Sequence, residues 1–145
     1  MPHHAEKKIL PYTPTQMFDL VADISAYPQF LPWCLAAHIR ATQNDVVFAD
    51  LVIGYKMLRE KFGSRVLLDR QNMAIRVAYL SGPMRYLKNV WHFLPHEQGC
   101  VVDFDVDFEF KSALLQRIMG VFFNEAVKHM VQAFEKRAAF IYGKY

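Results

Sequence analysis

The chain is poor in residues that could hold it together through disulfides or metals. It has two cysteines, Cys34 and Cys100, which lie far apart and form no Cys-x-x-Cys spacing. This pattern excludes a disulfide framework and predicts reduced, half-buried thiols in a reducing compartment. The six histidines form no HExxH-type motif, and their only cluster, His3 and His4, lies where the chain is expected to fray. We therefore expect no metal site.

The sequence also lacks a dominant charge and a long apolar run. The 17 Lys and Arg against 14 Asp and Glu give a net charge of +3, which is too small an excess to predict a DNA partner. The apolar stretch at residues 30–37 contains Pro32 and is far shorter than the ~20 residues that cross a bilayer. Residues 1–8 are polar, and a predicted strand begins among them, which argues against a secretory signal or an organellar presequence. We expect a bacterial cytoplasmic protein with at most peripheral contact with the inner membrane.

Apolar and aromatic side chains are abundant instead. Hydrophobic residues make up 53% of the 145 positions and aromatic residues 14%, with a mean hydropathy of +0.03. This composition excludes disorder. The length fits one domain, residues 1–145, that buries roughly 68–70% of the surface of the unfolded chain. The apolar surplus predicts side chains that line a cavity or form an exposed patch.

The hydrophobic pattern changes its period along the chain. A strand is predicted at residues 4–10, followed by a helix that Thr13 caps with Gln16 at the capping-box position, and a short helix or turn at 26–30. A period of two then predicts six strands, at residues 35–42, 46–53, 58–68, 74–80, 86–94 and 101–110. Residues 112–142 show helical spacing and predict a helix about 45 Å long. This order predicts an α+β fold in which a curved antiparallel sheet wraps around the long C-terminal helix.

The last two strands predict their own register. They are expected to form a hairpin around residues 95–99, with Trp91 opposite Phe104 and Asn89 opposite Val106 on the apolar face. The same register predicts four more pairs: Phe93–Val102, Leu87–Phe108, His92–Asp103 and Lys88–Asp107. Four carboxylates then share the water-facing side: Asp103, Asp105, Asp107 and Glu109. Because neighbours two apart on a strand are ~7 Å from each other, they do not converge on a metal.

Two apolar segments allow a structural and a functional interpretation. Residues 27–34 contain two prolines and present Phe30, Leu31 and Trp33, which could plug one end of the core or guard the mouth of a cavity. The long helix carries an apolar stripe that could be core or cavity wall. The stripe consists of Met119, Phe123, Ala126, Met130, Phe134 and Ile141. The opposite, polar arc consists of Arg117, Asn124, Glu125, Lys128, Gln132, Glu135 and Lys136.

No catalytic motif is present. The serines lack a nucleophile-elbow context and the glycines form no phosphate-binding loop, so no catalytic residue is assigned. An enzyme would need a polar group in the cavity, for which the candidates are Arg85, Asn89 and Arg137. Arg137 could equally extend into solvent or pair with a carboxylate, and Asn89 could bond a carbonyl group of a ligand or, as the simpler alternative, a backbone group.

Four sequence segments resemble a known family. They are YPQFLPWC at residues 27–34, SGPMRYL at 81–87, WHF at 91–93 and AFEKRA at 133–138. Together they are similar to the coenzyme Q-binding START-domain family, within the polyketide cyclase and ligand-transport superfamily, and the resemblance covers nearly the whole chain. The chain has Met84 where this family usually has Phe, Asn89 where it usually has Gly, and a charged segment at 58–62 in place of a Ser/Thr-rich strand.

The resemblance implies a helix-grip fold and the binding of ubiquinone or a related isoprenoid in support of respiration, without catalysis and with no cofactor besides the bound quinone. On this hypothesis the ligand-binding residues are Phe30, Leu31 and Trp33 at the mouth, and Asn89, Trp91, Phe104, Met119, Phe123, Met130 and Phe134 on the walls. Bacterial relatives are also described as ribosome-association toxins that block subunit joining, and the superfamily contains cyclases and aromatases. A ribosome contact would need a basic face, for which the sequence offers Arg59, Lys61 and Arg65 on one strand and Lys128 and Lys136 on the helix. These side chains could equally form a solvated face.

Overall fold

The computed structural model describes residues 3–55 and 58–143. Its elements are β1 (His3–Leu10), α1 (Pro14–Ala22), a 3₁₀ helix (Ile24–Gln29), β2 (Cys34–Gln43), β3 (Val46–Tyr55), β4 (Leu58–Asp69), β5 (Ala74–Ser81), β6 (Met84–His96), β7 (Gly99–Phe110) and α2 (Ala113–Tyr142). All neighbouring strands are antiparallel, in the order β1-β7-β6-β5-β4-β3-β2. The predicted helix-grip architecture, a curved sheet around a long C-terminal helix, is confirmed.

The predicted capping box at the start of α1 is present. The Gln16 backbone N–H donates to Thr13 Oγ1 at 3.1 Å, and the Thr13 N–H donates to Gln16 Oε1 at 2.9 Å. Pro14 occupies the first helical position, where its missing N–H costs nothing. This helix then packs against β6 by placing Phe18 edge-on to Phe93, with ring centres 5.9 Å apart.

The β6–β7 hairpin has the predicted register, but its turn is shorter than predicted. Trp91 lies opposite Phe104, Asn89 opposite Val106, and the other four predicted pairs are also present. Pairing continues to His96 and Gly99, so the predicted loop at residues 95–99 is a tight turn at Glu97 and Gln98. The pairing of β5 with β6 ends at Ala74–His92, so the part of β6 beyond His92 has no neighbouring strand on that side in the described structure. Proline is therefore tolerated at position 95.

The acidic row on β7 lies on the outer side of the sheet, as predicted. Asp103 and Asp107 lie opposite His92 and Lys88 on β6. Along its other edge β7 pairs with β1, and His3 contacts Asp105 at 3.1 Å. The prediction that the chain frays at His3 and His4 is therefore wrong. Within residues 3–55 and 58–143, no group of three or more His, Cys, Asp or Glu could hold a metal ion.

The long helix α2 crosses the concave face of the sheet. Ser112 caps it by accepting a hydrogen bond from the Leu115 N–H at 3.2 Å. Its buried side chains are Phe123, Ala126, Val127, Phe134 and Ala138. None of the helices in the described part of the chain is long and apolar enough to cross a membrane.

Two predicted positions on α2 are wrong. Ile141 was placed on the apolar stripe, but it is 47% exposed. The last turn contacts α1 through Tyr142, whose hydroxyl donates to Gln16 O at 2.8 Å, and this contact leaves Ile141 in solvent. Glu135 was placed on the exposed arc, but it forms an ion pair with Lys8 of β1 at 2.6 Å and is only partly exposed.

Candidate functional site

An apolar cavity of about 290 Å³ lies between the concave face of the sheet and α2. The strands expose alternate side chains to this side, so each strand from β2 to β7 contributes to the wall. The part of the wall formed by β3, β4 and β5 was not predicted from the sequence. Its side chains are Leu51, Ile53, Phe62, Val66, Ile75 and Val77. Their period of two was the available signal, but the sequence does not show how far α2 stands from these strands.

Trp91 is the centre of an aromatic wall. Its ring centre lies 4.6 Å from that of Phe104 and 5.2 Å from that of Phe134, and it stacks on Phe93 at 6.1 Å. Trp91 is only 6% exposed. The predicted Trp91–Phe104 pair is therefore present, and Phe134 brings α2 into the same cluster.

Asn89 lines the cavity beside Trp91 and bonds to the protein itself. The Trp91 indole N–H donates to Asn89 Oδ1 at 3.0 Å, and Asn89 Nδ2 donates to the Asp105 carbonyl at 2.9 Å. The amide thus satisfies a backbone group, which was the predicted alternative to a ligand contact, and it fixes the indole plane.

The predicted residues of α2 face the same space. Met119, Phe123, Met130 and Phe134 all line the cavity, together with Leu115 near the start of the helix. Phe123 also packs on Phe108 of β7, with ring centres 5.0 Å apart. Methionine side chains adapt to irregular ligands, so this half of the wall can adjust its shape.

The segment at residues 27–34 contributes to the cavity, but Phe30 does not. Leu31 and Trp33 line the cavity as predicted. Phe30 is absent from the lining and packs edge-on against Phe134 with ring centres 5.2 Å apart. Its neighbour Leu31 turns inward because the chain leaves the 3₁₀ helix at this point. Phe30 therefore does not line the cavity, and its predicted role at the mouth, like ligand contact by the other nine predicted residues, stays a prediction.

Three polar side chains of the wall are neutral and donate hydrogen bonds to backbone oxygens. The Tyr27 hydroxyl donates to Val21 O, the Ser64 hydroxyl to Ala49 O at 3.4 Å, and the Cys34 thiol to Ala36 O at 3.6 Å. Burial raises the pKa of the Tyr27 phenol and that of the Cys34 thiol, so both are protonated at neutral pH. Among the described lining residues the one carboxylate is Glu60, near the start of β4. A cavity with this lining favours a ligand made largely of hydrocarbon.

Two of the three polar candidates for an enzyme lie outside the cavity. Arg85 is exposed. Arg137 donates to Gln29 Oε1 at 3.0 Å, and its guanidinium lies over the rings of Phe30 and Phe140 at 5.2 and 5.3 Å. This contact fastens the 3₁₀ helix to α2 and brings no charge into the cavity.

The two cysteines are free and more deeply buried than predicted, with Cys34 6% and Cys100 0% exposed. Burial raises the pKa of the Cys100 thiol from 9.0 to about 11. Since the raised pKa belongs to the folded state, the neutral thiol stabilises the fold below about pH 9, and this contribution is lost as the pH rises towards about 11.

We expect the free energy of unfolding of the wild type to fall over that interval by up to about 2–3 kcal/mol more than that of Cys100→Ala. Urea unfolding of both proteins at neutral and alkaline pH measures the difference. Comparing slopes removes the constant effect of the lost side chain. Equal pH dependence in the two proteins would contradict the assignment.

Comparison with known proteins agrees with this geometry. The family described as polyketide cyclase / dehydrase and lipid transport matches residues 10–135. The ribosome association toxin RatA of Rickettsia prowazekii is 46% identical over 134 residues, covering 90% of this chain and 92% of that protein. The mitochondrial coenzyme Q-binding protein COQ10 homolog B of Xenopus laevis is 37% identical over 145 residues, covering 97% of this chain and 59% of that protein.

One solved structure combines the same fold with substantial sequence identity. The solution structure of the 18 kDa protein CC1736 from Caulobacter crescentus is 38% identical, with a TM-score of 0.81, covering 99% of this chain and 100% of that one. The helix-grip architecture, the region that the family matches and the sequence identities to these proteins all indicate the same family. A START superfamily protein from Mycobacterium smegmatis shares the fold at 18% identity, with a TM-score of 0.83 over 96% of this chain and 98% of that one. The chain belongs to the polyketide cyclase / dehydrase and lipid transport family.

Proposed function

We propose that the protein binds a hydrophobic isoprenoid, ubiquinone or a close relative, between the sheet and α2, and supports respiratory electron transport as a lipid-binding protein without catalysing a reaction. The observation that carries the proposal is the cavity, which has an aromatic and methionine wall and polar groups that already bond to backbone oxygens. Each CH₂ group that a tail buries there contributes about 0.8 kcal/mol. The similarity to a coenzyme Q-binding protein supports the same ligand class.

The size of the cavity limits how much of such a ligand it holds. Its volume of about 290 Å³ lies at the lower end of the range of pockets that enclose drug-sized molecules, roughly 300–1,000 Å³. A quinone ring with a short length of tail matches this volume. The remainder of a long polyprenyl tail has to extend beyond the cavity.

The two tryptophans of the chain provide the readout for a direct test. Trp33 and Trp91 both line the cavity, so a bound quinone lies close to both indoles. We expect a short-chain ubiquinone to quench their fluorescence with saturation, and mass spectrometry of solvent extracts of the purified protein to detect a quinone. No saturable quenching together with quinone-free extracts would reject the proposal.

A ribosome contact is the second candidate function. Arg59, Lys61 and Arg65 are exposed on one side of β4, and a relative is named for ribosome association. Contacts between such side chains and phosphates weaken steeply with salt. Sedimentation with ribosomal subunits at low salt, lost at high salt and lost in a variant with all three residues changed to Gln, would support it. Absence of cosedimentation at low salt would reject it.

A further inference from the structure

Glu60 is a carboxylate at a cavity-facing position of β4. Its side chain lies on the same side of the strand as those of Phe62 and Val66, which also line the cavity. In the sheet it lies opposite Ile53 of β3, and Ile53 in turn lies opposite Cys34 of β2. Glu60 is half-buried, and it is the one charged side chain among the described residues of the wall.

The Glu60 carboxylate has no protein partner in the described structure. Within residues 3–55 and 58–143, no hydrogen bond or ion pair joins it to another side chain or to the backbone. The adjacent basic residues Arg59 and Lys61 are exposed on the outer side of the strand. An anion beside an apolar cavity loses part of its hydration and is unfavourable there without a hydrogen-bond donor. A ligand in the cavity can supply that donor.

The hydroxyl and thiol groups of the wall have already used their protons. The Tyr27 and Ser64 hydroxyls and the Cys34 thiol each donate to a backbone oxygen. Each of these groups has only one proton to give, whereas its oxygen or sulfur keeps a lone pair. Towards a ligand, therefore, these three side chains can only accept a hydrogen bond.

The N–H donors that remain in the wall are few and neutral. They are the indole N–H of Trp33 and the second amide N–H of Asn89, whose first is given to the Asp105 carbonyl. The indole N–H of Trp91 already donates to Asn89. A carbonyl of a ligand could gain a neutral hydrogen bond from these donors. A hydroxyl of a ligand would gain a hydrogen bond to the Glu60 carboxylate, and such charge-assisted bonds are roughly twice as strong as neutral ones.

We propose that the cavity discriminates between the two oxidation states of its ligand and binds an isoprenoid hydroquinone, the ubiquinol form, in preference to the quinone, with Glu60 accepting a hydrogen bond from a ring hydroxyl. The inference rests on the proposed function, because it requires the ring of the ligand to lie in this cavity. Reduction turns each ring carbonyl into a hydroxyl, so the two forms have similar shapes but only the reduced form donates hydrogen bonds. The protein binds a molecule that is reduced elsewhere and transfers no electron itself.

The experiment compares three short-chain compounds by equilibrium dialysis of the full chain in the absence of oxygen. They are ubiquinone-1, ubiquinol-1 and the dimethyl ether of ubiquinol-1, which keeps the aromatic ring of the reduced form but has no hydroxyl proton. We expect ubiquinol-1 to bind at least about tenfold more tightly than ubiquinone-1. The ether should bind no more tightly than the quinone. Equal affinities for the two oxidation states, or an ether that binds as tightly as ubiquinol-1, would overturn the inference.

Glu60→Gln tests the role of the carboxylate. It keeps the size of the side chain but replaces a charged acceptor by a neutral amide that can also donate. We expect the affinity for ubiquinol-1 to fall about tenfold and that for ubiquinone-1 to stay unchanged or rise slightly, so that the two become similar. Glu97→Gln is the matched control, since Glu97 is exposed in the turn between β6 and β7 and does not line the cavity. It should keep the wild-type preference. A preference retained in Glu60→Gln, or lost equally in both variants, would contradict the assignment.

The wild-type affinities separate this inference from the proposed function. If ubiquinone-1 binds as tightly as ubiquinol-1 or more tightly, the proposed function stands and the preference is rejected. If none of the three compounds shows saturable binding, both are rejected. Urea unfolding checks the fold of Glu60→Gln. If that variant has lost its cooperative transition, the wild-type comparison of ubiquinol-1 with its dimethyl ether decides whether hydroxyl donation governs binding.

Discussion

Trp91→Ala is expected to weaken the binding of a short-chain ubiquinone about 100-fold, whereas Lys88→Ala leaves it unchanged. Trp91 contacts Phe104 and Phe134 within the cavity wall, so its loss removes a large apolar surface from the ligand and loosens the other two rings. Lys88 lies three residues earlier on the same strand, on the water-facing side opposite Asp107. Since Trp33 still reports in both variants, fluorescence titration measures the difference.

A variant that fills the cavity guards against a simple loss of stability. Trp91→Ala is expected to cost about 3–5 kcal/mol of folding free energy, as large-to-small changes in a core do. Val106→Trp instead adds volume to a position that already faces the cavity. It should block the quinone while the protein keeps its cooperative unfolding. If Trp91→Ala and Val106→Trp bind the quinone like the wild type, the cavity is not the site.

Gly99→Ala is expected to destabilise the fold by about 3 kcal/mol or more. Gly99 has φ +142°, and a Cβ there would lie 2.2 Å from Leu10 O and 2.7 Å from Tyr12 N. These are backbone atoms of the connection between β1 and α1, so no side chain can move aside. The absence of a side chain at Gly99 therefore lets the end of β1 pack closely against the start of β7. Chemical denaturation of the variant measures the free energy of unfolding that this close packing contributes.

Gly120→Ala is the matched control for the same substitution. Nothing lies within 4 Å of a Cβ at this position, which is in the interior of α2. Alanine has the higher helix propensity by about 1 kcal/mol, so this variant should be more stable than the wild type. If the two glycine variants shifted stability in the same direction, the account of Gly99 would be contradicted.

Much of the fold could be predicted because alternating polar and apolar residues show which face of each strand is buried. On β7, carboxylates alternate with Val and Phe, and the β6 pattern matches this alternation in the observed register, with Trp91 opposite Phe104. A shift by one residue would have buried Asp105 against that indole. The helix cap at Thr13 could also be predicted, since its hydroxyl accepts from a backbone N–H only three residues away.

The rest depended on distances that alternation does not encode. Phe30 and Leu31 are adjacent apolar residues, and only the path of the chain leaving the 3₁₀ helix decides that Leu31 faces the cavity. Ile141 has the right helical phase, but the end of α2 contacts α1 rather than the sheet. The volume of the cavity follows from the curvature of the sheet and the height of α2 above it, and no local pattern records either.

The placement of β1 beside β7 sets an order of events during synthesis. His3 and Asp105, which meet in the folded sheet, are 102 residues apart in the chain. At about 5–20 residues per second, roughly 5–20 s pass between the synthesis of these two positions. Strands β2 to β7 form successive hairpins with their neighbours in sequence, so each can pair soon after its partner is made. In the described sheet β1 lies at one edge and pairs with β7, so it cannot pair until nearly the whole sheet has been translated. The nascent protein exposes an unpaired edge throughout that time.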